Sequence, residues 1–220
     1  MLDNVTVGDL MKYSLKCAMK SGFTNNLYFS SNILKRHFVR SNFMKVISAT
    51  VQNSTKKGTC LDFGPGFGMS LPALSKIFDR TVGLDIDENQ LIPAAKIIKD
   101  HSISNVDLVC RSPDKEFDDF ITESFDCIIA DNVLEHISDN YQILQNFYRI
   151  LKVDGILIIS LPTENIIYRL FESKGDGHVL RTKKQINSLL KNIESSFTEI
   201  GRLDTPPFFL LRIFQKSFVV

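Results

Sequence analysis

Cys60-Leu-Asp-Phe-Gly-Pro-Gly-Phe-Gly68 is the stretch that decides the fold. The apolar run Thr59–Phe63 enters a turn carrying Gly64, Gly66 and Gly68, and a helical pattern leaves it over residues 68–78. Glycines let backbone approach a ligand without a Cβ in the way. In an open α/β sheet such a turn sits at the carboxyl end of a strand, where these sheets bind ligands. A plain strand–helix turn does not need three alternate glycines and a neighbouring acid.

Outward from this turn the pattern alternates. Thr81–Ile86, Val106–Cys110, Phe125–Ala130 and Ile156–Leu161 read as strands. Asp87 caps a helix over 88–100, with Gln90 completing a capping box, and Ile143, Leu144, Phe147, Ile150 and Leu151 form a helical stripe. Alternating strands and helices imply parallel βαβ units, hence an α/β, Rossmann-like, doubly wound and mostly parallel sheet. The end differs. After a helix near 182–193, the segments 197–203 and 208–220 flank Asp204-Thr-Pro-Pro207, a spacing that permits an antiparallel hairpin.

Ahead of the alternating region lie two helices. Met11, Leu15, Ala18 and Met19 mark one over residues 9–20, with Thr6 and Asp9 as its capping box. The other runs from Ser31 to Thr50 on a stripe of Val39, Phe43, Val46 and Ile47, with Leu34 and Phe38 on another face. We divide the chain into a helical cap or lid, 1–57, and a ligand-binding domain, 58–220.

Composition bounds the function. The chain has 220 residues, 44% hydrophobic and 23% charged, enough for a full core and unlike a disordered chain. Net charge is +1, so there is no strong nucleic-acid signal. Residues 1–57 nevertheless carry a net of +7 and the remainder −6. Lys35, Arg36, Arg40 and Lys45 point in several directions on a helix, so the expectation is a set of solvated faces. The four cysteines form no C-x-x-C pair, which argues against a disulfide framework or zinc ribbon and suits a reducing compartment. Cys110 and Cys127, in strands, are expected in the core. No run approaches the ~20 apolar residues of a transmembrane segment, and the first residues lack the form of a signal peptide. A cytoplasmic protein is the expectation.

Two acids narrow the ligand. Dinucleotide sites prefer G-x-G-x-x-G with pyrophosphate at a helix N-terminus. Here the spacing is G-x-G-x-G, and Asp62, two residues before the first glycine, opposes a pyrophosphate but suits an ammonium group. Asp85, at the end of the second strand, can accept both ribose hydroxyls. An amino group plus a ribose without phosphate describes S-adenosylmethionine.

LDFGPGFG, then VGLDIDENQL, SFDCIIADNVLEHI and LKVDGILIISLPTEN, together resemble the class I S-adenosylmethionine-dependent methyltransferases, in particular the small type 11/12 kind, over about residues 58–165. The resemblance implies a seven-stranded sheet with an antiparallel C-terminal hairpin. It implies contacts from the Gly64-Pro65-Gly66 backbone through Gly68 to the methionine part, Asp85 on the ribose and Ile86 against adenine. Asp131 and Asn132 would flank the reactive methyl. Where the family often has an acid for the adenine amino group, this chain has Ser112, with Asp114 two residues later.

A small-molecule acceptor is expected, and S-adenosylhomocysteine as the product. The D/N-P-P-Y/F motif of enzymes that methylate adenine or glutamine is absent after the fourth strand, as is a Pro-Cys nucleophile. His178, in Gly175-Asp-Gly-His-Val179, is the first candidate for a base, within a segment 163–181 read as an acceptor-side lid. His136, opening a helix, is the second, though packing is its preferred role. His37 and His101 are expected at the surface. Asp131 with Glu164 and Asn165 is a minor candidate for Mg²⁺, and no metal is assigned. Competing readings are a protein that binds the donor without turnover and an NAD-dependent oxidoreductase.

Overall fold

The computed structural model describes residues 5–111, 117, 120–137, 139–163, 188, 197–204 and 209–217. It opens on α1 (Val7–Lys20), where Thr6 and Asp9 exchange the reciprocal bonds of a capping box. A 3-10 turn, Leu27–Phe29, leads to α2 (Ile33–Asn53), capped by the Asn32 side chain. Then follow β1 (Thr59–Phe63), α3 (Leu71–Ile77), β2 (Arg80–Asp85), α4 (Glu88–Asp100), β3 (Val106–Cys110) and β4 (Phe125–Asp131). A second 3-10 turn, Leu134–His136, precedes α5 (Asn140–Ile150), β5 (Leu151–Pro162), β6 (Phe197–Arg202) and β7 (Phe209–Lys216).

The strands form one seven-stranded sheet in the order β3-β2-β1-β4-β5-β7-β6. The first five are parallel, and β7 runs antiparallel to both β5 and β6. The chain winds outward from β1 to β3, then returns to lay β4 beside β1. That reversal leaves a crevice at the carboxyl ends of β1 and β4. Strand side chains alternate between two faces. Leu61, Phe63, Ile128, Ala130, Leu157 and Ile159 meet Ile143, Leu144, Phe147 and Ile150 of α5 on one face. Cys60, Cys127, Ile129, Ile156 and Ile158 meet apolar residues of α1, α2, α3 and α4 on the other. Cap and sheet thus share one core among the described residues.

Several local expectations need correction. Helix α3 begins at Leu71, not 68, because Gly68 is left-handed and its N–H closes a turn onto the Pro65 carbonyl. The cap of α4 is not completed by Gln90. Asp87 accepts from the Asn89 N–H, while its own N–H goes to Asp85 Oδ1 at 3.0 Å. His101 is half-buried rather than free on the surface, with Nε2 3.2 Å from the Cys17 carbonyl, joining the end of α4 to α1. His37 is exposed. Cys127 is buried, but Cys110 is exposed, because it ends the edge strand β3 with Sγ 3.7 Å from the Ile86 carbonyl. The helix expected near 182–193 lies outside the described residues, Ser188 apart.

Candidate ligand-binding cleft

A cleft of about 250 Å³ opens in this crevice. Its β1 side is local in sequence. Gly64, Gly66 and Gly68 have φ of +74°, +53° and +82°. A Cβ at Gly64 would stand 2.5 Å from Val133 Cγ2, and one at Gly68 2.7 Å from Ala94 Cβ, so these two let the loop pack against its neighbours. A Cβ at Gly66 would meet only Gln90 Oε1, at 3.9 Å. Space is left free at Gly66, where the loop lines the cleft.

Asp85 fixes that loop. Its Oδ2 accepts the Gly66 N–H at 3.0 Å and its Oδ1 the Asp87 N–H at 3.0 Å. One bond on each oxygen leaves further lone pairs for a ligand. Next to it, Ile86 is 64% exposed, a bare aliphatic surface outside the enclosed part of the cleft.

Asp62 lies at the buried end of the cleft and accepts from Ser70 Oγ. Burial pushes its carboxyl up to about 7; the Ser70 bond opposes the shift, and the nearby charges of Asp131 and Asp85 add to it. Ser70 stands at the start of α3 but makes no side-chain cap bond, its hydroxyl being given to Asp62.

The opposite side joins distant segments. Asp131, at the end of β4, accepts at Oδ1 from Asn42 Nδ2 and from Asn132 Nδ2, each at 2.9 Å. Asn42 is buried on α2, and its Oδ1 accepts from Ser160 Oγ of β5 at 3.2 Å. Burial raises the Asp131 carboxyl above the usual range, against bonds from Ser160 and Asn42 that lower it. Asn132 is held at φ +53°, with its N–H on the Ser160 carbonyl at 3.0 Å and its Oδ1 buried without a partner. Tyr28 closes this side. Its ring meets Phe43 and Phe67 edge-on, and burial, with Asp131 and Asp62 nearby, drives its phenol well above the ordinary value.

Of the residues expected from the sequence, Asp62, Gly64, Pro65, Gly66, Asp131, Asn132 and His136 line one cleft. Gly68 lies behind the loop, and Asp85 and Ile86 adjoin it. His136 is exposed at the rim, in a 3-10 turn rather than opening a helix. Ser112, Asp114, Glu164, Asn165, His178 and all of the 163–181 lid beyond Thr163 lie outside the described residues. Sequence reasoning missed Tyr28, Asn42, Ser70 and Ser160. Only Asn42 left a signal, a polar residue inside the apolar stripe of α2, three after Val39 and four before Val46.

Asp62, Asp131 and Glu135 line the cleft, and no lysine or arginine does so among the described residues. Such a wall disfavours a pyrophosphate and favours a ligand bearing positive charge.

A family model described as "Methyltransferase domain" matches residues 61–159. A ubiquinone biosynthesis O-methyltransferase of Bradyrhizobium diazoefficiens is 31% identical over 121 residues, covering 55% of this chain and 46% of that protein. The chain thus spans less than half the length of the curated relatives it first matches. Two solved structures share the fold. The PH0226 protein of Pyrococcus horikoshii aligns with a TM-score of 0.69 at 18% identity, over 90% of this chain and 97% of that one. The N-methyltransferase NodS of Bradyrhizobium japonicum, in complex with S-adenosyl-L-homocysteine, aligns with a TM-score of 0.65 at 17% identity, over 93% and 98%.

Proposed function

We infer, for a chain whose residues 61–159 are a methyltransferase domain of the class I, S-adenosylmethionine-dependent family, that the cleft binds S-adenosylmethionine and transfers its methyl group to a small-molecule acceptor. The observation that carries this reading is the buried Asp62 facing the same cleft as Asp131, a cleft whose described lining lacks cationic side chains.

The fit is chemical. Asp62 suits the ammonium group of the methionine part, and the Gly64–Gly66 backbone leaves room for its chain. Asp85, already holding Gly66, retains lone pairs for the ribose hydroxyls. The enclosed 250 Å³ falls below the ~300–1,000 Å³ of whole ligand pockets. The nucleoside would therefore extend past the cleft, where the exposed Ile86 offers an apolar face for adenine. Ser112 remains our assignment for the adenine amino group, and Asn132, with its buried Oδ1, for the edge of the reactive methyl.

Bound S-adenosylmethionine supplies an electrophilic methyl on a sulfonium. The residues of this chain position and desolvate. Asn42 and Asn132 hold the Asp131 carboxylate in one orientation, and Tyr28, Phe43 and Phe67 exclude water beside it. His178 is our proposed base and His136 the alternative, within a cap formed by residues 1–57 and the 163–181 lid. A sequence relative is named for oxygen methylation and a solved structure of this fold for nitrogen methylation, so likeness to them does not set the acceptor atom. Among the described residues no helix is long and apolar enough to cross a membrane. All four cysteines are free, which suits the reducing cytoplasm.

The test is transfer of label from methyl-labelled S-adenosylmethionine into a fractionated small-molecule extract. A labelled product that requires the protein is expected. Tight donor binding with no product in any fraction would point to a binding protein without turnover.

A further inference from the structure

We propose that the N-terminal cap is a docking surface for an anionic lipid bilayer, set at the mouth of the cleft. This goes beyond the methyltransferase reading and uses different residues.

Between Asp9 and Asp62 the chain carries no acid and nine lysines or arginines. The structure shows how one part of this segment is presented. Helix α2 is fixed by a buried stripe of Asn42, Phe43, Val46, Ile47 and Thr50. A different stripe faces outward as a shallow groove with Met11, and it interleaves Ile33 and Met44 with Arg36, His37 and Arg40. The spacings from Ile33 are three, four, seven and eleven, which is one helical face.

The start of α2 is bare. Ile33 is 69% exposed and Leu34 59%. Leu27, six residues before Ile33, is 46% exposed and also lines the cleft, so an exposed aliphatic group stands at the mouth as well. Arg36 donates to the Ser30 carbonyl and Arg40 to that of Tyr28, each through one nitrogen. A guanidinium has five N–H donors, so these contacts aim the groups and leave charge to present outward.

Aliphatic side chains beside cations use both properties of an anionic bilayer. The alkyl groups enter the headgroup boundary while lysine and arginine stay with the phosphates. A nucleic acid would use the charge but leave Ile33 and Leu34 in water. The opposite net charge of residues 58–220 would turn that part of the chain away from the same surface.

The experiment is co-sedimentation of the full chain with phosphatidylcholine vesicles, with or without about one quarter phosphatidylglycerol. Binding to the anionic vesicles should be at least about tenfold stronger, and should fall several-fold between about 0.05 M and about 0.3 M salt. The double variant Ile33→Asp/Leu34→Asp should lose at least about tenfold of it. Its S-adenosylmethionine affinity, measured by calorimetry, should stay within about twofold of the parent, since neither residue lines the cleft. The milder Leu34→Gln should weaken vesicle binding in the same direction should the double variant fail to fold. Equal binding to neutral and anionic vesicles overturns the proposal. So does undiminished vesicle binding by the variants, or tighter binding to a labelled RNA duplex that the variants leave intact. Failure of donor binding in the parent chain would strike the methyltransferase reading instead and leave this one standing.

Discussion

The β1–β2 side of the cleft comes from one stretch, Asp62 to Asp87, whereas the β4 side joins Asn42 and Asp131, 89 positions apart, through one hydrogen bond. On the first side, turns and backbone donors do the positioning. Gly66 N–H and Asp87 N–H converge on one carboxylate, and both hydrogen bonds close within that short stretch of chain. On the second, a helix from the cap, a strand end and Ser160 of β5 must dock before Asp131 has its partners. Local contacts should survive small changes elsewhere, and assembled ones should not. The first side should govern donor affinity, and the second the seating of α2.

The largest expected effect is at Gly66. Gly66→Val places a branched side chain in the space left for the ligand, at a left-handed φ that costs about 1–2 kcal/mol. Donor affinity should fall by at least about 100-fold, or about 2.7 kcal/mol, in calorimetry. A cooperative melt should remain. The same change at Gly68, whose Cβ would stand 2.7 Å from Ala94, should instead cost the fold. Normal donor binding by Gly66→Val would reduce the loop to a turn.

Asp85→Ala comes next. It removes the proposed ribose acceptor together with the partner of two backbone donors, and should weaken donor binding by about 1.5–3 kcal/mol. Unchanged affinity would mean that the ribose lies elsewhere.

Asn42→Ala should act on the other side. Losing bonds to Asp131 and Ser160 should cost about 1–2 kcal/mol of stability, some 2–8 °C in Tm for a chain of this size. Donor affinity should change less than about threefold. A large loss of donor affinity with little change in Tm would reverse the roles given to the two sides.

The remaining effect is one of pH. Unfolded Asp62 ionises near the ordinary 3.8, while in the fold it keeps its proton to about 7. Between those values the unfolded chain has released a proton that the folded one holds, so raising pH destabilises the fold. The difference in stability between the parent and Asp62→Asn should therefore shift against the parent from pH 4 to 7, at under about 1.4 kcal/mol per unit. A difference that is flat across this window would mean that Asp62 is solvated.

The same contrast accounts for what can be read from the residues. Strand β1, the glycine turn and Asp85 announce themselves because residue type and spacing determine contacts over a short span. The β5–β7–β6 end is legible too, since Asp204-Thr-Pro-Pro207 leaves only a hairpin's length between apolar runs. Docking of α2 is not: Asn42 stands out as a polar residue in an apolar stripe, but nothing in the sequence names Asp131 as its partner. His101 reads as a surface residue because nothing near residue 101 encodes its covering by α1. Cys110 reads as core because the strand pattern does not say which strand is the edge. Tyr28 lies in a short turn with no periodicity, and only its packing on Phe43 and Phe67 puts it in the cleft.

The central claim is that the carboxyl groups of this cleft receive a cationic nucleoside, Asp62 giving up its proton to it. It is tested most directly by calorimetric titration with S-adenosylmethionine, S-adenosylhomocysteine and NAD at about pH 6, in two buffers of different ionisation enthalpy. We expect both sulfur nucleosides to bind, with release of a proton as Asp62 ionises against the ammonium group, and the release to vanish in Asp62→Asn. Binding of NAD without binding of S-adenosylmethionine would contradict the account.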